Sequence, residues 1–278
     1  MSPADTAAPA LHLENRGSVR VILLSRGKAN ALTAEFAQEI QGAARGAQDD
    51  PHVRGVVLTS SSPTIFCGGF DLGVLASTGP EAFGRFILIF EALFFDLFLL
   101  AKPLVAALTG HAIAGGTLLA ATADFRFAAE GPGTIGLPEV ALGVHVPRYC
   151  VEAMRATVGE PALTRWALQG EAMPFSTARE LGAIHCIVPA DRLLDESVAF
   201  AGRLGEAPNE VYAAIKRDLR RAAYERAQAA LADGRKAFVD SWFSASGQAG
   251  RAQALARIGG GSRPASAAGA GPGSSRAQ

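Results

Sequence analysis

Short β-branched runs alternate along the chain with longer stretches of helical spacing, the pattern of strands that cross over through helices. Residues 19–25 (VRVILLS) and 53–60 (VRGVVLTS) read as strands. Between them residues 27–32 form a loop, and Thr33 is placed to cap a helix that carries Glu35 in its first turn. A glycine-bearing turn at 66–72 leads through a short linker to a helix over 80–100, where Pro80 suits the first turn. Pro103 stops that helix and opens a third strand, 104–108. The chain then turns through 109–116 into an apolar helix at 117–122, with further strands at 124–129 and 134–136. From Arg148 onward helices dominate, at 160–168, 176–181, 191–204 and 209–242, and no internal repeat is visible. The fold class is α/β.

Composition narrows the picture. A chain of 278 residues that is 49% hydrophobic can bury a full core as one α/β domain with a helical appendage. The core is placed at 11–190 and the helical region at 191–258. Residues 1–10 read as a loose tail, and 259–278, mostly Gly, Ala, Ser and Pro, cannot bury enough apolar surface to order. Twenty-six basic residues balance 26 acidic ones, so no global field draws the chain to nucleic acid or to an anionic membrane. Its most apolar stretch, 86–108, is interrupted by Glu91, Asp96, Lys102 and Pro103 before it could span a bilayer. Cys67, Cys150 and Cys186 have neither metal-type nor redox-type spacing, and the start lacks a secretory signal. A soluble cytoplasmic protein is expected. His12, His52 and His185 are scattered and suggest no metal site.

Candidate chemistry sits in two glycine-rich turns and one carboxylate. Each turn follows a strand and could leave backbone N–H groups free for an anion, yet neither has the spacing of a nucleotide fingerprint. Glu139, in GLPEVALG, stands alone among apolar neighbours, where burial would raise its pKa toward neutrality. The bland alternative is a glutamate that starts a helix or pairs with an arginine. Six of the 15 phenylalanines (Phe83, Phe86, Phe90, Phe94, Phe95 and Phe98) fall on the 80–100 helix as ordinary core or as an acyl-pocket wall.

Order, spacing and strand context of four segments together resemble the crotonase (enoyl-CoA hydratase/isomerase) superfamily: RGKANAL (26–32), FCGGFDL (66–72), KPLVAALTGHAIAGG (102–116) and GLPEVALGVHVP (136–147). The resemblance covers about residues 11–258. It implies a spiral of ββα units with C-terminal helices, assembled as homotrimers or pairs of trimers. An acyl-CoA is the implied substrate, and no cofactor is implied beyond the coenzyme A that the substrate carries. By motif position the peptide N–H groups of Phe70 and Gly115 would hold the thioester oxygen and stabilise an enolate, with Glu139 as acid/base. Gly68, Gly69 and Gly116 would let the backbone approach the ligand, beside Leu72. Asp71 would cap its own loop. Lys28, Ala29, Asn30 and Ala31 resemble the loop that meets the adenine and pantetheine arm.

One departure selects the reaction. Family hydratases carry a second glutamate three residues after the oxyanion glycine, and that position here is Leu118. Family Δ3,Δ2-enoyl-CoA isomerases work with one glutamate at the position of Glu139, so double-bond migration is the favoured reaction. Hydration, CoA-ester hydrolysis and a non-catalytic RNA-binding or partner role are the alternatives. His111 and His145 lie inside the motifs as second-rank candidates, with a structural role the commoner one for a lone histidine. Cys67 reads as a packed small side chain, and residues 216–221 as a solvated basic helix face.

Overall fold

A computed structural model describes residues 9–259. Residues 1–8 and 260–278, both expected as unstructured tails, lie outside the described residues. Pro9 and Ala10, assigned to the first tail, are held instead by Ser25. Its hydroxyl donates to the Pro9 carbonyl at 2.8 Å and its N–H to the Ala10 carbonyl at 2.9 Å.

Two strands, β1 (Leu11–Arg16) and β2 (Val19–Leu24), pair antiparallel and lead into helix α1 (Ala34–Asp49). Thr33 caps that helix, its hydroxyl accepting from Phe36 N at 3.3 Å. Three turns of a spiral follow, each giving one strand to either of two sheets and then at least one helix. The first holds β3 (Gly55–Ser60), β4 (Ile65–Cys67), α2 (Leu72–Leu75) and α3 (Pro80–Phe98). The second holds β5 (Leu104–Leu108), β6 (His111–Ile113) and α4 (Gly115–Thr122). The third holds β7 (Phe125–Ala129), β8 (Thr134–Gly136) and α5 (Arg148–Thr157). Beyond them lie α6 (Glu160–Gln169), β9 (Ala172–Pro174), α7 (Phe175–Glu180), β10 (Cys186–Val188), α8 (Leu193–Leu204), α9 (Asn209–Ala229), α10 (Leu231–Phe243) and α11 (Ala245–Gly259).

The larger sheet runs β1-β2-β3-β5-β7-β10 and the smaller β4-β6-β8-β9, with every pair parallel except β1–β2 and β8–β9. This is the α/β spiral of ββα units with C-terminal helices that the motif order implied. The parallel strands are covered on both faces, which is why they read as unbroken apolar runs. Val56 and Leu58 face the main core while Val57 between them faces α8 with Val105 and Phe127, the two-residue period of a strand.

Several elements were not read from sequence. Strands β4, β6, β9 and β10 have three residues each, too few for an alternation to show. Helix α4 starts at Gly115 rather than at 117, because its first turn is two glycines. The stretch 209–242 is two helices that meet at Ala230, and α11 continues to Gly259, where the closing tail had been placed.

Residues 216–221 are corrected more sharply. Arg217 and Arg221 are exposed, but Lys216 and Arg220 are each only 6% exposed. Both meet Asp124, at 2.9 Å and 2.8 Å. That carboxylate also accepts from Tyr212 OH at 3.1 Å and from Leu104 N at 2.8 Å. Arg220 further donates to the carbonyls of Phe98 and Thr122, at the ends of α3 and α4. Burial pushes the Lys216 ammonium down to about 8.

Removing one member of a buried ion cluster strands the others without counter-charge. Asp124→Ala is expected to lower the unfolding free energy by about 3–5 kcal/mol, read from urea denaturation. Asp124→Asn, which keeps two polar atoms, is expected to lose less.

Candidate active site

Two loops are clasped by a buried side chain. Asn30, at φ 46 and 1% exposed, accepts from Arg26 N at 2.8 Å and donates through Nδ2 to Ser60 Oγ at 2.8 Å and to the Phe66 carbonyl at 3.0 Å. Gly68 N donates to the Ala29 carbonyl at 2.8 Å, the Cys67 thiol to the Asn30 carbonyl at 3.1 Å, and Arg26 to the Ala31 carbonyl at 2.7 Å. Arg26 also pairs with Asp71 at 2.9 Å. Asp71 in turn caps α2 by accepting from Val74 N at 3.1 Å. In this chain the carbonyls of Ala29 and Asn30 hold the 66–72 turn, while Lys28 remains exposed.

The same turn frees one peptide donor. Leu32 N–H donates to the Gly69 carbonyl at 2.7 Å, and Asp71 N–H donates to the Leu32 carbonyl at 3.0 Å. This parallel bridge uses the residues flanking Phe70, so the Phe70 N–H points away from Leu32. A second free donor is Gly115 N–H, at the first position of α4, where no intrahelical acceptor exists. Preceding it, Ala114 is held at φ 52, ψ −120, a conformation that costs a residue with a Cβ about 1–3 kcal/mol. Glycine is required where the turns touch. A Cβ on Gly116 would lie 2.0 Å from the Cys67 carbonyl oxygen, and one on Gly69 2.9 Å from that of Ile113.

Phe70 and Gly115 face a cavity of about 310 Å³ whose other walls include Gly68, Leu72, Leu118, Leu142 and Val144. Glu139 lines it too, in the turn after β8, as the one carboxylate among the described residues of the wall. Only 6% of the residue is exposed, and its Oε2 has no hydrogen-bond partner among the described residues. Burial drives its carboxyl from 4.5 up to about 8. It neither starts a helix nor pairs with an arginine among the described residues.

The remaining expected residues sort by position. Lys28, Ala29, Asn30, Ala31, Gly69, Asp71 and Gly116 do not line the cavity; Ala29, Asn30 and Asp71 help hold the 66–72 turn that does. His111 Nδ1 sits 2.8 Å from Thr134 Oγ1, and His145 is exposed with its N–H on Ser241 Oγ at 3.0 Å, so neither histidine lines the cavity. Cys67 is fully buried and its thiol is pushed up to about 12. None of the six phenylalanines of α3 is in the wall. Phe86 and Phe90 instead hold the Phe70 ring edge-on, with centroids 4.8 Å and 4.9 Å away. Sequence reasoning missed Phe238 and Trp242 of α10 and Ala254 and Arg257 of α11, which close the cavity. Phe238 and Trp242 stand four residues apart, a helical stripe that spacing cannot tell from core.

Among the described residues no helix is long and apolar enough to cross a membrane, and no group of three or more His, Cys, Asp or Glu side chains is placed to hold a metal ion.

Known proteins resemble this chain in sequence and in fold. A family model described as enoyl-CoA hydratase/isomerase matches residues 14–254. The mitochondrial enoyl-CoA delta isomerase 1 of Rattus norvegicus is 30% identical over 181 residues, 65% of this chain and 63% of the relative, so the match spans just under two thirds of that protein. The carnitinyl-CoA dehydratase of Proteus mirabilis is 31% identical over 211 residues, 74% of this chain and 78% of the relative. The crystal structure of human mitochondrial delta3-delta2-enoyl-CoA isomerase superposes with a TM-score of 0.86 at 25% identity, covering 91% of this chain and 99% of that one.

The burial of Glu139 has a measurable sign. The folded protein keeps a proton that the unfolded chain releases above 4.5, so the protonated group's stability is fully present below that value and is lost as pH rises toward about 8. Glu139→Gln carries no such charge. Its melting temperature relative to the native protein is expected to climb between about pH 5 and about pH 9, measured by calorimetry across that range. A constant difference would mean that Glu139 is not desolvated.

Proposed function

The chain belongs to the enoyl-CoA hydratase/isomerase family, and from that premise we propose that it is a Δ3,Δ2-enoyl-CoA isomerase working with Glu139 alone. The observation that carries the reading is Leu118. It lines the cavity three residues after Gly115, so Glu139 has no second carboxylate beside it in the described wall. Hydration needs an acid and a base to place water across a double bond, whereas migration of the bond needs one group that accepts and returns a proton.

In this reading the Glu139 carboxylate removes a proton from C2 of a 3-enoyl-CoA. The C–H electron pair spreads into a dienolate, whose thioester oxygen accepts from the N–H groups of Phe70 and Gly115. Donors fixed before the reaction stabilise such a charge most in a site with apolar walls, and Gly115 adds the positive end of the α4 dipole. Protonated Glu139 then delivers its proton to C4 and leaves the double bond between C2 and C3. A carboxyl near 8 suits both halves, because it is a stronger base than an ordinary carboxylate and still a usable acid. The substrate brings its own coenzyme A, and the reading requires no other cofactor. The motif resemblance supports assembly as trimers or pairs of trimers.

A hydratase is the second reading, favoured by the 31% identity to a carnitinyl-CoA dehydratase. Incubation with 3-enoyl-CoA and 2-enoyl-CoA separates the two. Conversion of 3-enoyl-CoA to 2-enoyl-CoA is expected to outpace water addition to the latter. Rapid hydration without migration would promote the second reading. Glu139→Gln is expected to lower turnover by roughly 10²–10⁴-fold, and native kcat/KM to rise with pH to a plateau above about 8.

A further inference from the structure

Thr117 is fully buried in the first turn of α4, in the run Gly115-Gly116-Thr117-Leu118. A threonine hydroxyl inside a helix usually turns back to a carbonyl of the preceding turn. Here Oγ1 leaves its own helix. It lies 2.7 Å from the Ala112 carbonyl of β6, 2.7 Å from the Gly136 carbonyl of β8, and accepts from Gly136 N at 3.1 Å. Ile113 and Gly136 are the last paired residues of the β6–β8 ladder, and Ala114 N donates to the Gly136 carbonyl at 3.0 Å. A single hydroxyl therefore touches polar atoms on both strands of that closing rung.

What leaves the rung on each side matters for the site. On the β6 side the chain passes through strained Ala114 to Gly115, which lines the cavity and whose N–H has no intrahelical acceptor. On the β8 side it passes through Leu137 and Pro138 to Glu139, three residues beyond Gly136. Resting on the isomerase reading above, we propose that Thr117 is a positioning residue that sets the separation between the Gly115 donor and the Glu139 base by locking α4 to the end of that ladder. Neither group touches Thr117. It acts on where they stand, and misplacement by about 1 Å is enough to cost up to 10²-fold in rate.

The test compares Thr117→Val, which keeps the shape and removes the hydroxyl, with Thr117→Ser, which keeps the hydroxyl. The expected result for valine is a kcat lower by about 10–100-fold with KM for 3-enoyl-CoA within about twofold, and recovery of most of kcat in serine. The ¹³C shift of the thioester carbonyl in bound 2-enoyl-CoA should also move toward its value in water in valine and not in serine. Unchanged kcat and carbonyl shift in a folded valine variant would overturn the proposal. So would equal losses in valine and serine, which would mark Thr117 as general packing. If valine does not fold, serine decides: kcat within about threefold of native supports the hydroxyl's role and a loss of about tenfold or more overturns it. A native protein that binds 2-enoyl-CoA but does not isomerise would refute the reaction, and the carbonyl shift would still judge Thr117.

Discussion

A buried α-helix must satisfy its polar ends, and the eight residues of α4 are buried throughout. At the C-terminal end, Arg220 donates to the Thr122 carbonyl at 3.0 Å and Arg126 to the Ala123 carbonyl at 2.9 Å. Cations at that end also complement the helix dipole. The N-terminal end is treated differently. Gly115 N–H has no intrahelical acceptor and Gly115 lines the cavity; in the proposed reaction its partner is the anionic oxygen of the thioester. Much of the fold serves this asymmetry. Asp124 holds Arg220 and Lys216, and so fastens α9 to the strands beneath, while Arg126 also reaches the end of α5 through the Thr157 carbonyl.

The walls of the cavity are largely apolar. Leucine, valine and aromatic walls give little screening, so the proton on Glu139 and any charge on a ligand oxygen are governed by the few polar groups present. Stability and reactivity oppose each other at this residue. An acid with an unpartnered oxygen in such walls disfavours the folded state once ionised, and the same desolvation raises its basicity. The turns around it are firmly held: Asn30, Arg26 and Asp71 fasten the 66–72 turn, and Thr117 ties the start of α4 to the end of the β6–β8 ladder.

The C-terminal helices complete the enclosure through aromatic packing. Trp242 stacks on Phe83 with centroids 4.5 Å apart and carries the Arg251 guanidinium 4.2 Å from its ring centroid, which draws α11 onto α10. Phe238 packs against Phe70, which supplies one of the two free donors, so helices far along the chain bear on the position of that turn. The bidentate Glu91–Arg235 pair joins α10 to α3 in the same layer.

Strands β2, β3, β5 and β7 and helices α1, α3 and α8 were legible from periodicity, because each is long enough to show its period and is bounded by a cap, a proline or a turn. The motif order carried the spiral, the two glycine turns and the isolation of Glu139, since these depend on residue type and local spacing. Of the three-residue strands only β8 was read, while β4, β6, β9 and β10 were illegible, as was the difference between Lys216 and Arg217, neighbours of which one is buried on Asp124 and the other faces solvent. Local sequence placed a glycine pair at the entry to the apolar helix α4, although not inside it, and one carboxylate directly after Pro138. Tertiary structure alone decided which walls those groups face: the closing of the cavity by Phe238 and Trp242, the use of Asn30 as a buried clasp, and the removal of both motif histidines from the site. Each of those outcomes depends on contacts between residues far apart in the chain, and no local period or propensity encodes such contacts.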